Sequence, residues 1–485
     1  MIQNDSIFRE TREKLDTVST SFCLAKWNQV TVHLNSGTTH SCHHCPPHKI
    51  PLEEVTKNPS ALHNTEEKKN TRKLMLNNER PSECNFCWRV DDLKQERIFS
   101  DRIKKSAATW NGDTINTIPQ LPWDADVAPK YIEMDFSNTC NFKCIYCSPN
   151  FSTTWLKEVK EHGPHRVEPF FFNSLDSMKW EGKMPLEVAE DENPYVQAFW
   201  KWLPDIIGNL HNIRVTGGEP LLSKNTFKLI DYFIDHPQPN CQFDINSNLG
   251  VPDASIDKLI NGINRLYENK AIKEMIIYTS CEAHGAKAEY IRHGLNYERW
   301  LKNVDRILTE CPQVKISVMC TYNALSVTSF KDFLSDMLVL IKRHVTPENR
   351  GVNGRGFFPI DLDFPYLRYP DFLSAWILTE EYLKYINDCV EFIQQNVFEF
   401  KNVYNQGLRM SKVGFSDYAL HDIRRLYEVL QNAIVNNTGR NNPVEMDRRS
   451  FHKFITENDR RRGSNFIEVF PEMAEFYEFC KKNYR

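Results

Sequence analysis

Between residues 130 and 364 the chain alternates two patterns: short apolar runs, and longer segments whose apolar positions recur every three or four residues. The short runs at 130–136, 213–216, 242–247, 274–280 and 315–321 read as strands, and 358–364 as a weaker sixth. The segments 225–234, 256–267, 297–310 and 329–343 read as amphipathic helices. Strand–helix alternation of this kind predicts βαβ units around a parallel sheet. Six such units predict an α/β fold, a partial (β/α)6 TIM-like barrel.

Outside that stretch the pattern changes. Residues 1–125 are polar and loop-rich, with one charged run at 66–73 that reads as a helix. Pro119, Pro122 and Pro129 mark a rigid link into the barrel. The interval between the first two strands holds Phe170, Phe171, Phe172, Trp180, Tyr195, Phe199, Trp200 and Trp202. It reads as a helical insertion at about 155–205 with its own apolar core, or as an aromatic wall facing a substrate. Beyond 368 the pattern is helical, at 378–395 and 422–436. The expected division is therefore 1–125, 126–367 and 368–485. The charge run Asp459 to Arg462 reads as a solvated face, with a phosphate clamp as the alternative.

Composition narrows the function classes. At 41% hydrophobic and 26% charged, the chain fits a globular protein rather than a disordered one. Its net charge of −4 and lack of an RNA-binding module argue against nucleic acid as partner. An apolar run of 18 residues is lacking, so no membrane span is expected. The first 26 residues lack the pattern of an export signal, which makes the cytoplasm the expected compartment.

Cysteine changes the picture most. Seven of the 14 cysteines fall in three tight clusters. In a reducing compartment, clustered thiols read as metal ligands. The densest cluster is Cys140-Asn-Phe-Lys-Cys144-Ile-Tyr-Cys147, just after the first strand. Three thiolates so close can wrap one Fe–S cluster and leave one iron open. Zinc completed by a distant ligand, or three unrelated buried cysteines, are the alternatives. The second strand runs into Thr216-Gly217-Gly218-Glu219-Pro220, where paired glycines let a ligand approach the backbone and a carboxylate can accept from an amine.

Together the CxxxCxxC loop, with Tyr146 before its last cysteine, and the GGEP segment resemble the radical SAM superfamily. The resemblance covers roughly residues 128–366. It implies that Cys140, Cys144 and Cys147 hold a 4Fe–4S cluster whose open iron chelates S-adenosylmethionine (SAM). Gly217, Gly218 and Glu219 would line the methionine amine, and Tyr146 would lie near the adenine. Ser247 and Asn248 fall where the family often places a polar pair near SAM. Ser280 and Glu282 resemble a Ser-x-Asp-Gly segment, with Glu282 for Asp and Ala283 for Gly. Arg292 resembles an arginine that reaches the SAM carboxylate, and Asn323 a cofactor contact. The implied activity is reductive cleavage of SAM to a 5′-deoxyadenosyl radical that abstracts hydrogen from a peptide or small metabolite. A low-potential donor such as flavodoxin or ferredoxin would supply the electron. Cys281 and Cys320, ending strands four and five, read as buried and inert, or as hydrogen donors to a substrate radical.

The pairs Cys42-His-His-Cys45 and Cys84-Asn-Phe-Cys87 can close a four-thiolate site, for which zinc is the default in an arbitrary cytosolic chain. The 38 residues between the pairs exceed the spacing of about 15–20 in a zinc ribbon. Residues 58–64 and 79–88 resemble a twitch or SPASM-like auxiliary domain placed before the core. That implies a second, closed 4Fe–4S cluster for electron relay, with zinc as the alternative. An RNA-modifying radical SAM enzyme and a zinc-stabilised binding protein with a degenerate barrel are the competing functions.

Overall fold

Ile132 and Met134 are fully buried, while Tyr131 and Glu133 beside them keep partial access to solvent. The segment is thus a strand with one apolar face, as its alternation requires. The computed structural model describes residues 2–345, 358–403, 407–436 and 442–482. The chain divides into two units: Met1–Asn138 with Lys179–Asp244 and Glu268–Lys273, and Thr139–Met178 with Ile245–Tyr267 and Glu274–Arg485.

The first unit carries β1 (Gln29–His33), β2 (Thr38–His40), β3 (His48–Lys49), β4 (Tyr131–Asp135), β5 (Asn212–Thr216) and most of β6 (Gln242–Asn246). Their order is β3-β2-β1-β4-β5-β6. Strands β1, β4 and β5 are parallel and in register, so Val30, Ile132 and Ile213 line up across them, as do Val32, Met134 and Val215. β2 and β3 fold back antiparallel beyond β1. The chain before residue 125 therefore contributes three strands to this sheet, besides the loops expected there. β1 is only five residues long; Gln-Val-Thr-Val-His alternates polar and apolar, and Gln29 and Thr31 are buried along with Val30 and Val32.

The second unit carries β7 (Glu274–Ser280), β8 (Lys315–Met319), β9 (Ile360–Asp363) and the hairpin β10 (Glu399–Val403) with β11 (Gly407–Lys412). β7, β8 and β9 are parallel, with Ile277, Ile316 and Ile360 aligned across them. The result is a mixed α/β architecture with parallel sheet, as the alternation predicts. Helices cover the apolar faces. Tyr297–Glu310 starts at Asn296, whose side chain accepts from Arg299 N–H, and buries Trp300, Val304, Ile307 and Leu308 on one stripe. From 371 onward short 3-10 turns lead into the helices Leu383–Gln395, Asp417–Val435, Val444–Arg462 and Ala474–Lys482, interrupted by the β10–β11 hairpin. Among the described residues no helix is long and apolar enough to cross a membrane.

The aromatic interval is helical but shared between the two units. Tyr195, Phe199 and Trp202 of the helix Pro194–Ile206 are buried in the first unit, where Phe199 packs on Phe136 and the Tyr195 hydroxyl donates to Ile50 O at 2.9 Å. Phe172 is buried in the second unit against Trp155, Phe372 and Phe454. Phe170, Phe171 and Trp180 are exposed.

Candidate active site

The three-cysteine loop belongs to the second unit and is fastened from two sides. Ser152 and Thr154, at the start of the helix Thr153–His162, both donate to Phe142 O at 2.6 Å, and Trp155 Nε1 donates to Cys144 O at 2.7 Å. Opposite, Lys143 N–H donates to His293 O at 3.0 Å and Ile145 N–H to Ile291 O at 2.9 Å. Phe142 and Ile145 are the buried apolar pins between these anchors. Phe142 lies so close to Gly250 that a Cβ there would meet its ring at 2.3 Å. With the two non-cysteine side chains driven inward, the three thiols stay partly accessible.

Behind Cys144 stands a buried polar group. Arg292 donates through Nε and Nη2 to Glu282 Oε2 at 3.0 and 2.5 Å, and through Nη2 to the Tyr146 hydroxyl at 2.5 Å. Tyr146 in turn donates to Glu282 Oε1 at 2.9 Å. Arg292 Nη1 lies 3.8 Å from Cys144 Sγ. Burial pushes the Cys144 thiol up and the Arg292 charge opposes that. Burial also raises Cys147, to about 12. Both shifts favour the neutral thiol, as burial does for Cys241, Cys311 and Cys480 elsewhere in the chain.

The other expected residues separate into two groups. Asn248 joins the loop: its Nδ2 donates to Asn141 Oδ1 at 2.9 Å and lies 3.9 Å from Cys140 Sγ. Ser247 and Asn323 shape their own turns. Ser247 Oγ accepts from Leu249 N–H at 3.0 Å, and Asn323 Oδ1 from Leu325 N–H at 2.9 Å. Ser280 ends β7 opposite Met319. Cys281 and Cys320 are fully buried.

Gly217, Gly218 and Glu219 lie in the first unit, at the end of β5. Gly217 has φ of +123°, and a Cβ there would stand 2.8 Å from Ser137 O and 2.9 Å from Asp135 Cβ. Gly218 N–H donates to Ser137 O at 3.1 Å. Glu219 is buried, and its carboxylate caps the turn Pro220–Leu222 by accepting from Leu221 N–H at 3.0 Å. Asp135, at the end of β4, is fully buried and pairs with His33 Nδ1 at 2.7 Å.

The amino-terminal cysteines converge in that unit too. Cys42, Cys45, Cys84 and Cys87 line one small pocket with Cys23, Lys26 and Trp88. Cys42 Sγ and Cys45 Sγ are 3.6 Å apart. Lys26 Nζ lies 3.2 Å from Cys45 Sγ and pairs with Glu83. Burial raises Cys87 to about 12. His44 and Asp101 line the same pocket, and the His43 and His44 Nε2 atoms lie 3.7 and 2.7 Å from the Asp101 carboxylate. Four thiols about one pocket fit a four-thiolate metal centre. Lys26 and Glu83 were not legible as part of it, because neither sits in a recognisable spacing.

No family model matches the chain. It is 27% identical over 137 residues to the GTP 3′,8-cyclase of Sulfurimonas denitrificans, a match covering 28% of this chain and 33% of that protein. The chain thus spans about a third of the length of the curated relative it matches. Among solved structures it is similar to Streptococcus suis SuiB bound to S-adenosylmethionine, at 12% identity over 66% of this chain and 62% of that one, with a TM-score of 0.33. SuiB bound to the precursor peptide SuiA gives 10% identity over 68% and 62%, with a TM-score of 0.30. A likeness at these TM-scores carries no argument on fold or substrate.

Proposed function

We propose that the chain is a radical SAM enzyme acting on a peptide or small metabolite, with its reactive centre at Cys140, Cys144 and Cys147. The observation that carries this reading is the loop itself. Three thiols project from one backbone segment pinned on both sides, and a buried Arg–Glu–Tyr group backs the middle thiol. A 4Fe–4S cluster on these thiols would supply one low-potential electron to SAM, cleaving it to methionine and a 5′-deoxyadenosyl radical. The chain's residues bind and orient. Arg292 and Tyr146 fix the loop near Cys144, and Arg292 keeps one face toward that sulfur. Asn248 flanks Cys140. Gly217, Gly218 and Glu219 are assigned to the SAM amine by the resemblance alone; the Glu219 carboxylate caps the turn Pro220–Leu222.

The amino-terminal thiols Cys42, Cys45, Cys84 and Cys87 would hold a closed auxiliary 4Fe–4S centre, which would supply electron relay. A second reading has one observation in its favour. The 3.6 Å between Cys42 Sγ and Cys45 Sγ is near the sulfur–sulfur edge of about 3.8 Å in a zinc tetrahedron. Anaerobically purified protein separates the two. Two clusters give about eight irons per chain, falling to about four in a variant with all four amino-terminal cysteines replaced by alanine. About four irons in both, with zinc lost from the variant, makes that site zinc. For the reactive centre, the electron paramagnetic resonance signal of the reduced protein is expected to change on adding SAM. A spectrum indifferent to SAM at full iron loading overturns the reading.

A further inference from the structure

Lys26 sits in the short helical turn Ala25–Asn28 of the first unit, and its side chain is 4% exposed. A lone ammonium at that depth costs several kcal/mol unless charge and hydrogen bonds compensate. Two partners do so. One is Glu83, the residue before Cys84. The other is Cys45 Sγ, 3.2 Å from Nζ and within hydrogen-bonding reach. Cys45 lines the pocket that the four amino-terminal cysteines share, and the Glu83 carboxylate lies within 4.8 Å of the Cys45 and Cys84 sulfurs. The nearby cation Arg102 is already committed to Asp16, Asp91 and Phe22 O.

Four thiolates around a doubly charged metal core carry a net charge of −2. In a buried pocket that charge is expensive, and each added electron makes it more so. Net charge and hydrogen bonds to sulfur are what set the potential of such a centre. We propose that Lys26 is a positioning residue of the Cys42, Cys45, Cys84 and Cys87 centre: its ammonium hydrogen-bonds a Cys45 sulfur, offsets the centre's negative charge and favours uptake of one electron. The proposal rests on reading the centre as a 4Fe–4S cluster. The electron comes from an external low-potential donor and enters the cluster core. No bond forms or breaks, and Lys26 keeps its proton. Glu83 holds the ammonium against the sulfur.

The test uses the full chain with Cys140, Cys144 and Cys147 replaced by alanine, which leaves one cluster to observe. Redox titration followed by paramagnetic resonance compares Lys26, Lys26→Met and Lys26→Arg in that background, with iron and sulfide measured on each. Lys26→Met is expected to keep about four irons and to take up its electron about tenfold less favourably, a fall of 59 mV for one electron. Lys26→Arg is expected to titrate near the parent. If Lys26→Met loses its iron while Lys26→Arg keeps both iron and potential, the charge is still what matters, and the proposal stands. An unshifted potential at full iron overturns it. Equal loss of iron from both variants also overturns it, because shape rather than charge is then the cause. Zinc without iron in the parent overturns the auxiliary-cluster reading, and the electron role of Lys26 with it.

Discussion

Arg292 and Glu282 form a buried ion pair beside Cys144, with side chains 7% and 1% exposed. Removing one member leaves the other charged and unpaired in the interior, at a cost of about 3–5 kcal/mol. Arg292→Met is therefore expected to lower the urea midpoint sharply, and Glu282→Gln added to it to recover most of the loss. A double variant no more stable than the single one would show that the pair is not what is lost. His165 gives the acid dependence. It is fully buried among Trp155, Phe172 and Phe454, neither ring nitrogen has a hydrogen-bond partner among the described residues, and burial lowers its pKa to about 3. Below its ordinary value near 6.5 the unfolded chain takes up a proton that the folded chain refuses. Stability from this group is thus whole above pH 6.5 and falls as pH drops toward 3. The loss by pH 5 is about 2 kcal/mol. His165→Phe is expected to lose less stability than wild type between pH 7 and pH 5 in urea titrations. Equal losses would assign the acid sensitivity elsewhere.

The loops that end the strands carry the residues proposed for the cofactor, and their backbone is constrained more than their sequence shows. Gly217 combines positive φ with contacts at 2.8 and 2.9 Å to any added Cβ. Gly217→Ala is expected to cost about 1–3 kcal/mol, read from chemical denaturation. A neutral result would mean that β4 and its following loop can give way. Several elements were legible because the cause of each is local. The strand read at 274–280 is β7, and the helix read at 297–310 is Tyr297–Glu310. What stayed hidden depends on distant partners. β1 alternates polar and apolar over only five residues, too short to stand out, and takes its place by pairing with β4, about a hundred residues on. The run ending in Arg462 was expected to be solvated, yet Arg461 and Arg462 are 2% and 1% exposed. Arg462 lies over the Trp155 ring and 3.4 Å from Glu158, and Arg461 donates to Gly163 O at 2.9 Å. Nothing local distinguishes those two arginines from the exposed Arg460.

At the scale of the molecule, the two cysteine sets fall in different units of one chain. The residues around Cys144 were foreseeable one at a time from their resemblance, but not their mutual pairing. Arg292 stands bound to Glu282 and Tyr146, a network set by burial rather than by spacing. The most direct measurement is release of 5′-deoxyadenosine from SAM by anaerobic, iron-loaded protein reduced with dithionite. Wild type is expected to form it. The variant with Cys140, Cys144 and Cys147 replaced by alanine is expected to form none, and the variant lacking the four amino-terminal cysteines to keep the activity. No 5′-deoxyadenosine from fully loaded wild type, or an undiminished yield without the three loop cysteines, would contradict a radical SAM centre in this loop.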